Sequence, residues 1–288
     1  MEVTVRAVRV RTSDGVSLSG MHCPGGGSST VLAVCHGFTH HTRHSSTRRV
    51  VAALARHAPV VAFDMRGHGR SGGRSTVGNL EPLDLDAAVA WARSAGYERV
   101  VTVGFSLGAA VALRQAASST HGTRPDAVVA VSGPARWYSR ETVPMRRLHW
   151  LLEQPHGRLI ARLMGVRLDG GWELVPPSPV EVAAAVAPLP LLLVHFAGDR
   201  YFSAAHATAL AAAAGHAEVW TEPRDGHGES GTDAELAGRI ARWALLARAG
   251  DGPHDGPARS RSTVGAVPAD RRAPGDGSRR SLRSRRGG

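Results

Sequence analysis

Residues 100–113 read Val-Val-Thr-Val-Gly-Phe-Ser-Leu-Gly-Ala-Ala-Val-Ala-Leu. The first four residues form a short, β-branched run of the kind that makes a buried strand. Leu107–Ala117 is rich in Ala and Leu, which are strong helix formers. Between them Gly104 and Gly108 flank Ser106 in a G-x-S-x-G match. The stretch predicts a strand that turns sharply into a helix, with glycines relieving the crowding at the turn. Ser106 then stands at the carboxyl end of a strand, where open parallel sheets bind ligands. With 34 glycines in 288 residues, the motif alone is close to chance. The strand before it and the helix after it give it weight.

The same alternation extends in both directions. Apolar runs occur at Val31–Cys35, Val60–Phe63, Ala127–Val131, Leu191–Phe196 and Ala217–Trp220. Helical stretches at Ser46–Arg56, Leu83–Ser94 and Ala204–Ala214 lie between them. Continuous apolar strands separated by helices imply an α/β protein with a mostly parallel sheet covered on both faces. Upstream, Glu2–Arg11 and Val16–Met21 flank the turn signal Ser13-Asp14-Gly15 and predict an antiparallel hairpin.

One connection is long. Residues of about 134–188 contain Trp137, Trp150 and Trp172, half of the six Trp, and two helical stretches, Met145–Leu152 and Arg158–Met164. They predict a helical cap inserted over the sheet, since a second catalytic domain needs more chain. The last helix is expected to start at a Thr232 cap with Glu235 closing a capping box. It carries Leu236, Ile240, Trp243 and Ala247 on one face and ends at Gly250. One domain over 1–249 is expected, followed by an Arg/Gly/Pro-rich tail over 250–288. Residues 251–288 hold nine Arg against four Asp and few apolar residues, so disorder is expected. Binding of nucleic acid or another polyanion is the alternative role of the tail.

The net charge is +11, and all 35 basic residues are Arg. Codon bias in a GC-rich genome explains this, so the charge is weak evidence for a nucleic-acid partner. It still predicts attraction to polyanions at low salt. Cys23 and Cys35 make no disulfide framework, and Cys35 is expected to be a buried thiol. The N-terminus lacks a signal-peptide pattern. No run of about 18 apolar residues suggests a membrane span. The cytoplasm is the expected compartment.

A serine nucleophile needs a base, and the base needs an orienting acid. Asp199 directly follows the strand Leu191–Phe196 and is the expected acid. Asp225 lies too close to the base in sequence to orient it easily. His227 follows the final strand between Gly226 and Gly228, which leave room for the ring, and is the expected base. The backbone N–H groups of Phe38 and Leu107 are the expected oxyanion donors, the latter at a helix N-terminus. His36 is expected to be structural, and His206 and His216 to be surface or capping residues. His40, His41 and His44 have no Cys or carboxylate at ligand spacing. They predict a solvated loop, and no metal site is expected.

Five motifs carry a family resemblance: HGF at 36–38, DMRGHGRSGG at 64–73, GFSLGAAVAL at 104–113, HFAGD at 195–199 and DGHGE at 225–229. In this order they resemble the α/β-hydrolase superfamily over roughly residues 1–249. Within it they look most like serine aminopeptidase-like and monoacylglycerol-lipase-like esterases. The chain order Ser, Asp, His is the one expected of that fold. The resemblance makes Asp64 and Arg66 structural residues. Two departures stand out: this chain has HFAGD at 195–199, where relatives more often have His-Gly after this strand, and Arg200-Tyr201-Phe202-Ser203 stands where a Pro is common.

The resemblance implies a serine hydrolase that cleaves a carboxylic ester of short or medium acyl chain through an acyl-serine, without a cofactor. Its partner is a small-molecule acyl substrate. Trp137, Trp150 and Leu151 in the cap either bind that substrate or pack the cap on the sheet. An acyltransferase, thioesterase or peptidase on the same residues is the alternative chemistry. Haloalkane dehalogenases and epoxide hydrolases resemble this fold but carry Asp where Ser106 stands. A non-catalytic binding protein is the alternative of another class.

Overall fold

Why the strands are buried on both faces is visible in their register. The computed structural model describes residues 4–25 and 27–248. The expected tail at 250–288 and the Gly250 helix stop lie outside them. Strands β1 (Arg6–Arg11) and β2 (Ser17–Cys23) form the expected antiparallel hairpin. They precede β3 (Thr30–Cys35), α1 (Ser45–Leu54), β4 (Val60–Phe63), α2 (Glu81–Ser94), β5 (Arg99–Phe105), α3 (Leu107–Ser118) and β6 (Ala127–Val131). The eight strands order as β1-β2-β4-β3-β5-β6-β7-β8, with β7 at Leu191–Gly198 and β8 at Glu218–Asp225. From β4 to β8 every neighbouring pair is parallel, and β2 joins β4 antiparallel.

Alternate residues of each central strand serve opposite layers. Val31, Ala33, Val100, Val128 and Leu193 pack with α2, α3 and Leu210 of α7 (Ala204–Ala214). Leu32, Val34, Val101, Val103 and Val129 pack on the other side, with Leu54 of α1 and Ile240 of a helix near the carboxyl end. The apolar runs are unbroken because neither face sees water. The edges differ: β1 is largely exposed, and Val219 on β8 is 42% exposed.

Strand β4 lies outside β3, so the chain reverses direction across the sheet between β3 and β5. Cys35 pairs with Gly104 at that boundary. The segments leaving β3 and β5 therefore emerge side by side, at the switch point where such sheets bind ligands.

The connection from β6 to β7 contains α4 (Val143–Glu153), α5 (Gly157–Leu163), α6 (Pro179–Val182) and a 3-10 turn at Ala183–Val186. Thr142 caps α4 through its side-chain oxygen, and Ser178 with Glu181 forms a capping box on α6. The segment after α5 is tied to the loop after β4: Arg167 N–H donates to Gly67 O at 2.9 Å, and Ser75 N–H donates to Arg167 O at 2.7 Å. Val166 and Leu168 form a small apolar cluster with Ala161, against which Phe38 packs.

After β8 come α8 (Gly228–Gly231) and α9 (Ala234–Leu246). The α9 cap corrects the expectation. Asp233, not Thr232, accepts from Leu236 N–H at 2.9 Å. Thr232 instead ends the α8 turn, its hydroxyl donating to Gly228 O at 2.9 Å. The α9 face is as expected: Leu236, Ile240, Trp243 and Ala247 are all buried. Both cysteines are buried free thiols. Among the described residues no helix is long and apolar enough to cross a membrane.

Candidate active site

Ser106 sits in the turn between β5 and α3 with φ +52° and ψ −114°. A non-glycine residue at positive φ is held there by its surroundings. Its N–H donates to Val131 O at 2.9 Å, which extends the ladder to β6. Its carbonyl accepts from Ala109 N–H at 3.0 Å, which starts the helix. The two flanking glycines are required by close approach. A Cβ on Gly104 would overlap the Gly108 carbonyl, and one on Gly108 would overlap the Cys35 carbonyl oxygen.

The three expected polar side chains meet. His227 Nε2 is 2.9 Å from Ser106 Oγ. His227 Nδ1 is 3.0 Å from Asp199 Oδ1 and 2.9 Å from Oδ2. With a carboxylate on Nδ1, that nitrogen carries the proton and Nε2 faces the hydroxyl as an acceptor. Burial would raise the Asp199 pKa. The His227 contact and the Tyr201 and Phe202 amides outweigh it and hold the carboxyl below its ordinary value. Those amides donate to Oδ1 at 2.8 and 3.2 Å. Asp199 follows a bulge at Phe196/Gly198 on β7, where a Gly198 Cβ would overlap the Asp225 carboxylate.

The expected oxyanion donors border this group. A Cβ on Gly37 would come 3.5 Å from Ser106 Cβ, so the His-Gly-Phe turn runs against the serine. Among the described residues, no hydrogen-bond acceptor engages the Phe38 or Leu107 N–H. The turn is fixed on both sides. His36 Nε2 accepts from Met65 N–H at 3.0 Å, and its Nδ1 bonds Gly37 O at 2.8 Å. Burial keeps the His36 pKa well down, so the ring stays neutral and structural as expected. Asp64 and Arg66 are also structural. Asp64 accepts from the Thr42 and Arg70 amides, and Arg66 bridges Asp14 and Asp84.

Several contributors carry no sequence motif that predicts their role. Glu229, 2% exposed, accepts from Gly37 N–H at 2.9 Å and so ties the base loop to the His-Gly-Phe turn. Ser132, also at φ +52°, accepts from Gly228 N–H at 3.0 Å. The Tyr201 and Phe202 rings lie 4.4 and 5.7 Å from the His227 ring. These contacts join residues far apart in sequence. The signals in hand were only the Glu after His-Gly and the aromatic pair where a Pro is common.

Some expectations are corrected. Gly226 does not make room for His227; a Cβ there would press on Phe196 at 2.7 Å. Gly228 is needed for its φ of +48°. His206 is buried, not a surface residue. Its Nδ1 accepts from Ala135 N–H at 2.8 Å, and its Nε2 faces Glu141 at 2.8 Å. The His40 loop does have a carboxylate, because Glu229 comes within 3.1 Å of His40 Nδ1, and the His40 and His44 rings stack at 4.0 Å. Among the described residues no group of three or more His, Cys, Asp and Glu is arranged to hold a metal ion.

The three candidate substrate residues lie in different settings. Trp137 is buried against Trp172 and donates from Nε1 to Pro176 O at 3.0 Å. Trp150 is 64% exposed on α4, and Leu151 beside it is half-buried.

Comparison with known proteins agrees with this architecture. A family model described as alpha/beta hydrolase fold matches residues 30–155. No curated protein matches the sequence. Among solved structures, the Pyrococcus furiosus esterase Pf2001 is 24% identical with a TM-score of 0.64, covering 85% of this chain and 94% of its own. The alpha/beta hydrolase GrgF from a Penicillium species is 18% identical with a TM-score of 0.63, over 84% and 98% of the two chains. The esterase RhEst1 from a Rhodococcus species is 18% identical with a TM-score of 0.60, over 84% and 99%. At these identities the likeness speaks for the fold alone, and together with the family model over residues 30–155 it gives the chain the alpha/beta hydrolase fold.

Proposed function

We propose that the chain is a serine hydrolase that cleaves carboxylic esters. Ser106 Oγ attacks the acyl carbonyl while His227 Nε2 takes its proton. The C–O bond to the alcohol then breaks, and His227 returns the proton to the leaving alkoxide. Water, deprotonated by the same nitrogen, attacks the acyl-serine and releases the carboxylic acid. Asp199 holds the tautomer and stabilises the imidazolium. The Phe38 and Leu107 amides bind the oxyanion, where one donor is worth roughly a hundred- to a thousandfold in rate.

The observation that carries this reading is the contact chain at Ser106: 2.9 Å to His227, then 2.9 Å to Asp199. Residues of about 134–188 act as a cap in this account. Trp150 and Leu151 are its better candidates for contact with a short or medium acyl chain, because Trp137 is committed to packing. The test is a panel of p-nitrophenyl esters from acetate to octanoate, read for turnover by wild type and by Ser106→Ala. Turnover of some member that vanishes in the variant supports the proposal; turnover of none by wild type counts against it. Added alcohols, amines and thiols in the same assay distinguish acyl transfer from hydrolysis.

A further inference from the structure

The seam between α5 and the loops after β3 and β4 is lined by arginine. Two adjoining cavities, about 380 and 160 Å³, lie there, with Arg162 and Arg167 in the walls of both. Arg43 and Arg70 complete the larger, and Arg74 and Arg158 the smaller. No Asp or Glu lines either one. Among the described residues, none of these six arginines is in an ion pair.

The seam is also built. Arg167 donates to the Ser71 carbonyl from one side, and Arg74 Nη1 donates to the Leu168 carbonyl at 3.3 Å from the other. The Arg167 backbone is held between Gly67 and Ser75. His41, at the rim of the larger cavity, accepts Arg43 N–H on its Nδ1 at 3.2 Å. Its Nε2 is therefore the protonated nitrogen and a further donor. Six like charges drawn together without a counter-charge repel one another. An anion relieves this, and the planar guanidinium fork matches phosphate and carboxylate oxygens two at a time.

We propose that this seam binds a small oligoanion, with one phosphate or carboxylate group in each cavity and Arg162 and Arg167 between them. The occupant crosslinks α5 and its following turn to the core loops, beside the Val166–Leu168 cluster on which Phe38 packs. The site needs neither Ser106 nor His227, so it stands apart from the proposed hydrolase chemistry.

The test is calorimetric titration of the full chain with inorganic pyrophosphate, orthophosphate and citrate at about 0.15 M salt. There the screening length is about 8 Å and diffuse attraction is weakened. The expected result is saturable 1:1 binding of pyrophosphate or citrate, tighter than orthophosphate and unchanged in Ser106→Ala. The tighter of the two names the anionic group. Arg43 and Arg162 make no side-chain hydrogen bond among the described residues, so Arg43→Ala/Arg162→Ala should fold, which its melting curve checks. It should weaken binding roughly tenfold or more, the loss of two charge-assisted contacts. The charge-matched Arg48→Ala/Arg56→Ala on and just after α1 should bind as wild type. Equal weakening in both variants, no weakening in either, or no saturable binding overturns the proposal. Arg70→Gln supplies the same comparison with a single change.

Discussion

A serine at φ +52° is unusual for a non-glycine residue, and here three separate constraints hold it. The β6 ladder fixes its N–H, α3 fixes its carbonyl, and the carbonyl of Cys35 leaves only a glycine two residues on. In the proposed mechanism that precision matters, because the proton would move over one 2.9 Å contact. Asp199→Asn should preserve the fold yet lower kcat by up to about ten thousandfold, since an amide favours the wrong tautomer of His227. Steady-state kinetics checks this, and a variant with near-normal kcat would remove Asp199 from the mechanism. Glu229 is assigned a positioning role through the Gly37 amide. Glu229→Gln keeps the size of the side chain but weakens its acceptor. It should lower kcat roughly tenfold while leaving KM nearly unchanged, because the oxyanion exists only in the transition state. A change confined to KM would show that Glu229 serves substrate binding instead.

At the scale of elements, the sequence is a good guide wherever a local pattern decides the outcome. Continuous β-branched runs mark strands buried on both faces, and α7 falls at Ala204–Ala214 as expected. Position relative to strand ends singles out Ser106, Asp199 and His227, whose side chains the fold brings into contact, at the end of the sheet where open parallel sheets bind ligands. Contacts between distant segments were not legible. The Glu229–Gly37 bond spans 192 residues, and nothing in the local pattern around either residue predicts it. The same holds for His206, which looks like a helix-surface residue until the strand β6 loop folds over it. The α9 cap failed for a different reason. Thr232 and Asp233 both suit the position, and the choice went to the residue whose carboxylate also meets Arg224. Asp233→Ala should therefore cost about 1 kcal/mol in urea unfolding. A loss within error of zero would mean that α9 is held by its buried face alone.

At the scale of the molecule, seven of the described histidines share one electrostatic condition. His22, His36, His44, His68, His149, His195 and His206 are all held below the ordinary value, in each case chiefly by burial. A neutral folded histidine binds fewer protons than its unfolded counterpart once the pH falls below about 6.5. Stability is then fully present above that pH and declines as the pH falls through it. For fully buried His36 the decline is about 1.4 kcal/mol per pH unit until the folded ring protonates. The depressed Asp199 carboxyl acts lower, its contribution being lost only as the pH falls through its own folded value, below the usual carboxylate range. Buried Asp84, its carboxyl pushed up to about 7 by desolvation, gains stability over the same window and opposes the rings. With seven histidines against one carboxyl, the melting temperature should still drop between pH 7 and pH 5. A flat profile over that window would contradict the buried, neutral state of these rings.

The central claim is that Ser106 is a nucleophile activated by His227. A fluorophosphonate probe tests it most directly, because the probe reacts with an activated serine whatever the natural acyl group. Intact-mass analysis should show a single adduct on the wild-type chain, mapped by peptide digestion to Ser106. The adduct should be absent from Ser106→Ala and strongly slowed in His227→Ala. An unlabelled wild-type chain, or an adduct that persists in Ser106→Ala, would contradict the account.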